Sequence, residues 1–335
     1  MLPTRRAPAT SFDTGLKARP CVARPGSCCG GLTLIDLIVA LFLVTVLVLV
    51  MLMAMPRGRE QARLTACQKN LAQIGLALAL YDQTQHQLPT IDRPGPIDDS
   101  ERDGSPGPLK ILLQTLGQAD FLGLAPISTP PHPTGPVPGE VPVPGFICAS
   151  DPNATAGLLQ APISYRGNTG GDHLGRNGVF APGRRISLAE IEQEDGSSYT
   201  AAFSERLVGD SLDGHLSPWN YAAAAGPLPA RGCSLVWLKD QIAQWRGDAG
   251  SSWVVAGYRS TLYNHALQPG SSLSCVALDG QSAYMGASSG HSRGVNLLML
   301  DGSVKLVLPS IDSKVWRNFA AIADPVPHPQ EQGTK

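Results

Sequence analysis

The run Gly30-Gly31-Leu32-Thr33-Leu34-Ile35-Asp36-Leu37-Ile38-Val39-Ala40-Leu41-Phe42-Leu43-Val44-Thr45-Val46-Leu47-Val48-Leu49-Val50-Met51-Leu52-Met53-Ala54-Met55 decides how the rest of the chain is read. From Leu37 to Met55 there are 19 residues without a charge. At about 1.5 Å per residue they are long enough to cross a hydrocarbon core of about 30 Å. The apolar character is continuous, with no polar stripe, which fits a soluble core helix poorly. A cleavable secretory signal is also a poor fit, since its apolar region is only about 7–15 residues and ends at a small-residue cleavage site. Asp36 stands at the front edge of this span, where a carboxylate either helps start the helix at the interface or has a partner in the membrane.

Outward from the span, the composition divides. Residues 1–31 carry Arg5, Arg6, Lys17, Arg19 and Arg24 against Asp13, a basic leader of net charge +4. Over the whole chain of 335 residues, 43 % are apolar and 16 % charged, with a net charge of −1. This excludes a charged disordered chain and a dense basic nucleic-acid surface. The 36 Gly and 29 Pro imply many turns and a loop-rich, β-rich body. Aromatic residues, at 6 %, are too sparse for base-stacking platforms, so no nucleic-acid partner is expected.

Beyond Pro56 the apolar period changes. Leu64, Cys67, Leu71, Ile74, Leu78 and Tyr81 step by three or four residues and form one helical stripe. The spacing predicts an amphipathic stalk helix over 56–87, ended by Pro89 and the polar stretch that follows. Leu109, Leu112, Leu113 and Leu116 indicate a short helix. Residues 125–145 hold eight prolines and read as an extended connector. Ser187-Leu188-Ala189-Glu190 is a capping-box pattern. Asp-Gly turns at 195, 213, 279 and 301 punctuate strand-like sequence. Of these, Val295–Leu300, Asp301-Gly302 and Ser303–Leu308 read as a hairpin with a two-residue loop. That loop pairs Met299 with Val304, Leu297 with Leu306 and Val295 with Leu308 on one apolar face. A last amphipathic helix carries Ile311, Val315, Trp316, Phe319 and Ile322, followed by a disordered Pro-rich tail over 325–335.

The segment Gly31-Leu32-Thr33-Leu34-Ile35-Asp36-Leu37 before an apolar helix resembles the class III signal of type IV pilins and type II secretion pseudopilins. The resemblance implies cleavage after Gly31 by a prepilin peptidase, methylation of the new amino terminus at Leu32, and a role for Asp36 as the carboxylate that pairs with a neighbouring subunit's terminal amine. Leu32 stands for the usual Phe and Asp36 for the usual Glu. Further along, Arg59-Glu60-Gln61-Ala62-Arg63, Cys67-Gln68-Lys69-Asn70-Leu71 and Gln73-Ile74-Gly75-Leu76-Ala77-Leu78 are similar to the opening motifs of a large bacterial pseudopilin-like family, domain-of-unknown-function family 1559. Cys148-Ala149-Ser150-Asp151-Pro152, Ser164-Tyr165-Arg166-Gly167-Asn168 and Glu194–Thr200 resemble its middle motifs. His291-Ser292-Arg293-Gly294-Val295-Asn296 and Leu300-Asp301-Gly302-Ser303-Val304 resemble its final ones, in which His291, Gly294, Asn296, Asp301 and Gly302 are hairpin residues.

The resemblance implies a pilin-like α+β fold, in which a long N-terminal transmembrane helix continues into the stalk and packs on a mainly antiparallel β-sheet domain. The expected organisation is a cleaved leader (1–31), the transmembrane helix (32–55), the stalk (56–87), a globular domain (88–324) and the tail. The expected function is that of a membrane-anchored structural subunit able to assemble through its N-terminal helix in a type II secretion or type IV pilus-like system. It would sit in the inner membrane as a single-pass protein with an extracytoplasmic body. Its partners would be the prepilin peptidase, other pilin-like subunits and inner-membrane lipid. Without the leader the chain has 21 basic and 26 acidic residues, which suits an exported body. Basic residues flank both ends of the span, so charge bias leaves orientation to the family.

Cys21, Cys28 and Cys29 lie in the leader, leaving Cys67, Cys148, Cys233 and Cys275, for which three pairings exist. Because Cys67 and Cys148 both fall in family motifs, the resemblance implies a Cys67–Cys148 disulfide with Cys233–Cys275 as the remaining pair. Buried free thiols are the alternative.

Catalytic and metal signals are weak, and no cofactor is expected. Gly286-Ala287-Ser288-Ser289-Gly290 satisfies G-x-S-x-G, but a hairpin follows where a nucleophile elbow needs a helix. A loop His such as His291, near Asp301, more often fixes a hairpin than binds a metal. Asp151, Asp210, Asp213, Asp279 and Asp301 form no spaced calcium loop. No C-x-x-C marks a zinc knuckle. The competing reading is a membrane-anchored extracytoplasmic ligand-binding protein or hydrolase that uses the same export signal.

Overall fold

Helix α1 runs from Leu34 to Gln85 without interruption in a computed structural model that describes residues 33–97, 105–118, 141–159 and 161–322, the side chains of 52–57, 240, 242 and 243 excepted. The leader, the Gly31–Leu32 junction, positions 125–140 of the proline-rich segment and the tail lie outside the described residues. The chain divides into two units, Met1–Ala54 and Met55–Lys335.

In the first unit, α1 starts with a reciprocal cap. The Asp36 carboxylate accepts from the Thr33 backbone N–H at 3.0 Å and its hydroxyl at 2.8 Å, while the Asp36 N–H donates to the Thr33 hydroxyl at 3.3 Å. This is the box that satisfies two orphan donors at a helix start. The segment Leu34–Met51 is long and apolar enough to cross a membrane, and none of it is buried.

In the second unit, the rest of α1 buries the stripe read from the sequence. Cys67, Leu71, Ile74, Ala77 and Leu78 are all buried, and Tyr81 packs against the same core. Gly75 lets the helix lie close to the sheet, because a Cβ there would meet Leu298 Cδ1 at 3.0 Å and Gly302 Cα at 3.2 Å. The helix ends where His86 takes a positive φ of 55°, two residues short of the sequence expectation.

The sheet receiving α1 has five strands in the order β5-β1-β2-β8-β9. They are β1 (Tyr165–Asn168), β2 (Ala201–Glu205), β5 (Leu262–Tyr263), β8 (Val295–Met299) and β9 (Val304–Val307). A second sheet, ordered β4-β3-β6-β7, is built from β3 (Tyr221–Ala224), β4 (Ile242–Arg246), β6 (Cys275–Ala277) and β7 (Ala283–Tyr284). The fold is α+β, as expected, but with two sheets, each containing one parallel pair: β1 with β5 and β3 with β6. Short helices fill the connections: α2 (Pro108–Leu112), α3 (Pro152–Ala156), α4 (Leu188–Glu194) and α5 (Leu235–Gln241). The capping box at Ser187 and Glu190 is present in full.

The β8–β9 hairpin departs from the expected register by one residue. Leu298 pairs with Val304, Leu297 with Lys305, Asn296 with Leu306 and Val295 with Val307. The loop is Leu300-Asp301-Gly302, closed by Met299 N–H to Ser303 O at 2.9 Å, with Gly302 at φ 83°. Leu300 is buried and donates to Thr200 O at 2.9 Å, so it stays with β2 and is not available to extend the β9 ladder. A one-residue slip exchanges faces. β8 is buried at all five positions, including Asn296.

The terminal helix α6 (Ser313–Ala320) is capped by Asp312, which accepts from Lys314 and Val315 N–H groups. Trp316 is its buried anchor. Its ring stacks on His265 with centroids 3.6 Å apart, and its Nε1–H donates to Leu267 O at 2.7 Å. His265 Nδ1 donates to Trp316 O at 2.7 Å, which leaves Nε2 to accept from the Tyr263 hydroxyl at 2.9 Å. That is a neutral tautomer. Burial drives the His265 pKa down to about 3, only partly countered by the bond to Trp316 O.

Candidate functional site

Segments far apart in sequence meet where α1 crosses β8 and β2. Cys67 on α1 and Cys148, which follows a 3-10 turn at Pro144–Phe146, form a disulfide with Cα atoms 5.2 Å apart. Asn70, one turn beyond Cys67, donates to Ile147 O at 3.2 Å and lies 3.4 Å from the Tyr165 hydroxyl. The stalk and the Cys148 loop are therefore tied together both covalently and by hydrogen bonds.

Beside this disulfide, polar side chains form a closed circuit that leaves α1 and returns to it. Gln68 donates to Asn296 Oδ1 at 3.1 Å. Asn296 on β8 donates twice to Glu205 at the end of β2, from its backbone N–H at 2.9 Å and its Nδ2 at 2.8 Å. Glu205 Oε1 lies 3.5 Å from His291 Nε2, and His291 Nδ1 lies 2.6 Å from Glu60 Oε1, back on α1. Ser150 donates to the same Glu60 carboxylate at 3.2 Å. The His291 and Glu205 side chains are each only 2 % exposed, whereas Glu60 keeps 36 %.

Burial of the His291 ring opposes a charge, but hydrogen bonds to Glu205 and Glu60 outweigh it and hold the pKa above the ordinary value. An imidazolium there donates from both nitrogens to two carboxylates and joins the helix to the sheet. His291 is thus not held by Asp301. Its partners are Glu60, 231 residues away in sequence, and the Glu205 and Cys148 side of the core. Gly294 immediately precedes β8, and Asp301 and Gly302 form the hairpin turn, where Asp301 accepts from Ser303 N–H at 2.8 Å. The motif residues therefore separate into a turn and a helix–sheet joint.

A second node lies one loop away. Asp151 caps α3 by accepting from Ala154 N–H, and it also accepts from the Ser164 hydroxyl and Val208 N–H, both at 3.0 Å. Its burial raises its pKa despite these bonds. Asn168 of β1 donates to Ala201 O at 2.8 Å and Ala320 O at 2.9 Å, which fastens α6 to the main sheet. Of the other acids named as calcium candidates, Asp210 and Asp279 are turn acceptors, for Leu212 N–H and Gln281 N–H, and Asp213 accepts from the distant Gly247 N–H and Gln244 side chain. Cys233 and Cys275 form a second disulfide, which fixes the loop before α5 to β6.

Ser288 of the G-x-S-x-G pattern is tied to the residues that follow β2. Its hydroxyl accepts from Arg206 Nη1 at 2.6 Å and from Leu207 N–H at 3.1 Å, and among the described residues no hydrogen bond joins it to a histidine. Arg206 is fully buried, and its burial lowers its pKa to about 10. Sequence reasoning missed Glu60, Glu205, Gln68 and Ser150 as members of the joint. For Glu205 a signal existed: an acid closes the strand AAFSE, whose first three residues are apolar, and burying it there costs free energy unless the carboxylate is paired.

No curated protein and no solved structure matches the chain. One family model does, described as "Protein of unknown function (DUF1559)", over residues 56–314. That range is more than three quarters of the chain and contains every member of the joint, and the apolar helix in front of it marks a membrane-anchored or exported protein. The chain belongs to the DUF1559 family.

Proposed function

We propose that the protein is a pseudopilin-like structural subunit. A prepilin peptidase removes residues 1–31, Leu32 becomes the methylated amino terminus, and residues 32–55 hold the chain in the inner membrane with its body outside the cytoplasm. Subunits then associate through the N-terminal helix in a type II secretion or type IV pilus-like assembly. The observation that carries this reading is the single helix Leu34–Gln85, whose leading part is apolar and unburied and whose trailing part is built into a disulfide-bonded sheet domain. An apolar surface of that length without protein cover needs lipid or other helices around it.

Asp36 fits the assembly role. Thr33 holds its carboxylate at the first turn, close to where cleavage at Gly31 would create a positive amine. In lipid, pairing such a carboxylate with a neighbour's amine offsets the desolvation of both charges. The hydrolase alternative receives no comparable support, because the Ser288 hydroxyl is committed to Arg206.

The test is Gly31→Trp in cells that contain a prepilin peptidase. The variant is expected to keep its leader and to be missing from any assembled filament or complex. Assembly at the normal level with the leader intact overturns the proposal.

A further inference from the structure

Cys67 Sγ, Cys148 Sγ, a Glu205 carboxylate oxygen and a His291 ring nitrogen all lie within 4.8 Å of one another, and all four residues are buried. We propose that reduction of the Cys67–Cys148 disulfide converts this cluster into a four-ligand site for a zinc-type divalent cation, so that the joint between α1 and the sheet has two alternative closures, one covalent and one metallic.

Two features of the joint argue for this. First, thiolate, imidazole and carboxylate are the donor kinds that zinc takes, and four of them is the number that closes a tetrahedral site. Soft sulfur donors favour zinc or cobalt over calcium or magnesium. Second, the ligands are already oriented. Zinc-bound histidines usually give their other ring N–H to a carboxylate. Here Nδ1 is tied to Glu60 at 2.6 Å, which leaves Nε2 facing Cys148 Sγ at 3.4 Å and Glu205 at 3.5 Å. Glu205 is itself steadied by both donors of Asn296.

The chemistry balances with an external dithiol or phosphine as the two-electron reductant. The S–S bond breaks and both sulfurs become thiols: a dithiol gives up its two hydrogens and becomes a disulfide, or a phosphine takes the oxygen of a water, becoming a phosphine oxide, while that water's two hydrogens go to the sulfurs. Metal entry then displaces the two thiol protons and the proton on His291 Nε2. Sequence reading could not find such a site, because Cys67 and Cys148 are separated by 81 residues and His291 comes 143 after Cys148.

The experiment uses the full chain in detergent, with Cys21, Cys28, Cys29, Cys233 and Cys275 each replaced by Ala so that only the first pair remains. The protein is reduced with a phosphine under inert gas and titrated with Co²⁺. The expected result is binding of one equivalent, with thiolate-to-cobalt charge-transfer absorption and tetrahedral ligand-field bands that Zn²⁺ abolishes. The oxidised chain should bind none. His291→Ala removes a ligand and should weaken binding at least tenfold. Glu60→Gln keeps all four ligands and should weaken it about 10- to 100-fold, the range for outer-shell partners; it also serves if His291→Ala does not fold. A folded, reduced chain without the charge-transfer band overturns the proposal. So does cobalt affinity that is unchanged in folded Glu60→Gln.

Discussion

The two parts of α1 share one backbone and differ in almost everything else. Between Leu34 and Met51, large apolar side chains point in every direction and none is buried. Between Leu64 and Leu78, the buried large apolar residues keep to one stripe, and a leucine off that stripe, Leu76, is 62 % exposed. The contrast teaches that helix length is not what divides the chain. The division is in the period of the apolar residues: an all-round pattern suits a hydrocarbon solvent, and a three-four pattern suits a sheet.

Removing residues 1–51 should break this comparison most severely. The truncated chain should leave the membrane fraction altogether and float no longer with vesicles, whereas the full chain should resist alkaline extraction. Next in size is the double substitution Cys67→Ala/Cys148→Ala. Opening a closed loop of 81 residues costs about 4 kcal/mol in the chain-entropy account, measurable by chemical denaturation of the body. Membrane partition should not change.

A matched pair sharpens the contrast within the helix itself. Ile74→Ala, at a buried position, should destabilise the body by about 3 kcal/mol, while Leu47→Ala in the uncovered part should change it by less than about 0.5 kcal/mol. The smallest of these effects is reached with acid. His265 is neutral in the fold, with a pKa near 3 against an ordinary 6.5. The unfolded chain therefore takes up a proton below pH 6.5 that the folded chain refuses until about pH 3. Its contribution is complete above neutrality and is lost progressively as the pH falls, by about 2 kcal/mol at pH 5. His265→Gln should flatten that slope and leave the anchor in the membrane.

The parts of the fold set by local pattern were legible in the sequence. The uninterrupted apolar run, the stripe from Leu64 to Tyr81, the box at Ser187 and the Asp-Gly turns each depend on residues within a few positions of one another. The hairpin turn was recognised but its register was not, because Leu300 is held by Thr200, a hundred residues earlier. The joint was least legible. His291, Asn296 and Glu60 appear in motifs, yet their roles exist only once β2 brings Glu205 beneath β8. A buried carboxylate carries no sign in one sequence of which partner it will find. Asn296 shows the same limit: no neighbour in sequence names its partners, and the structure buries it between Glu205 and Gln68.

The central claim is that the chain is cut at Gly31 and held in lipid by the helix that follows. Intact-mass measurement of the protein extracted from native membranes tests it most directly. The account predicts a chain that begins at Leu32 with one added methyl group and is shortened by four hydrogens for the two disulfides. A native chain that begins at Met1, or that is recovered whole from the soluble fraction, contradicts it.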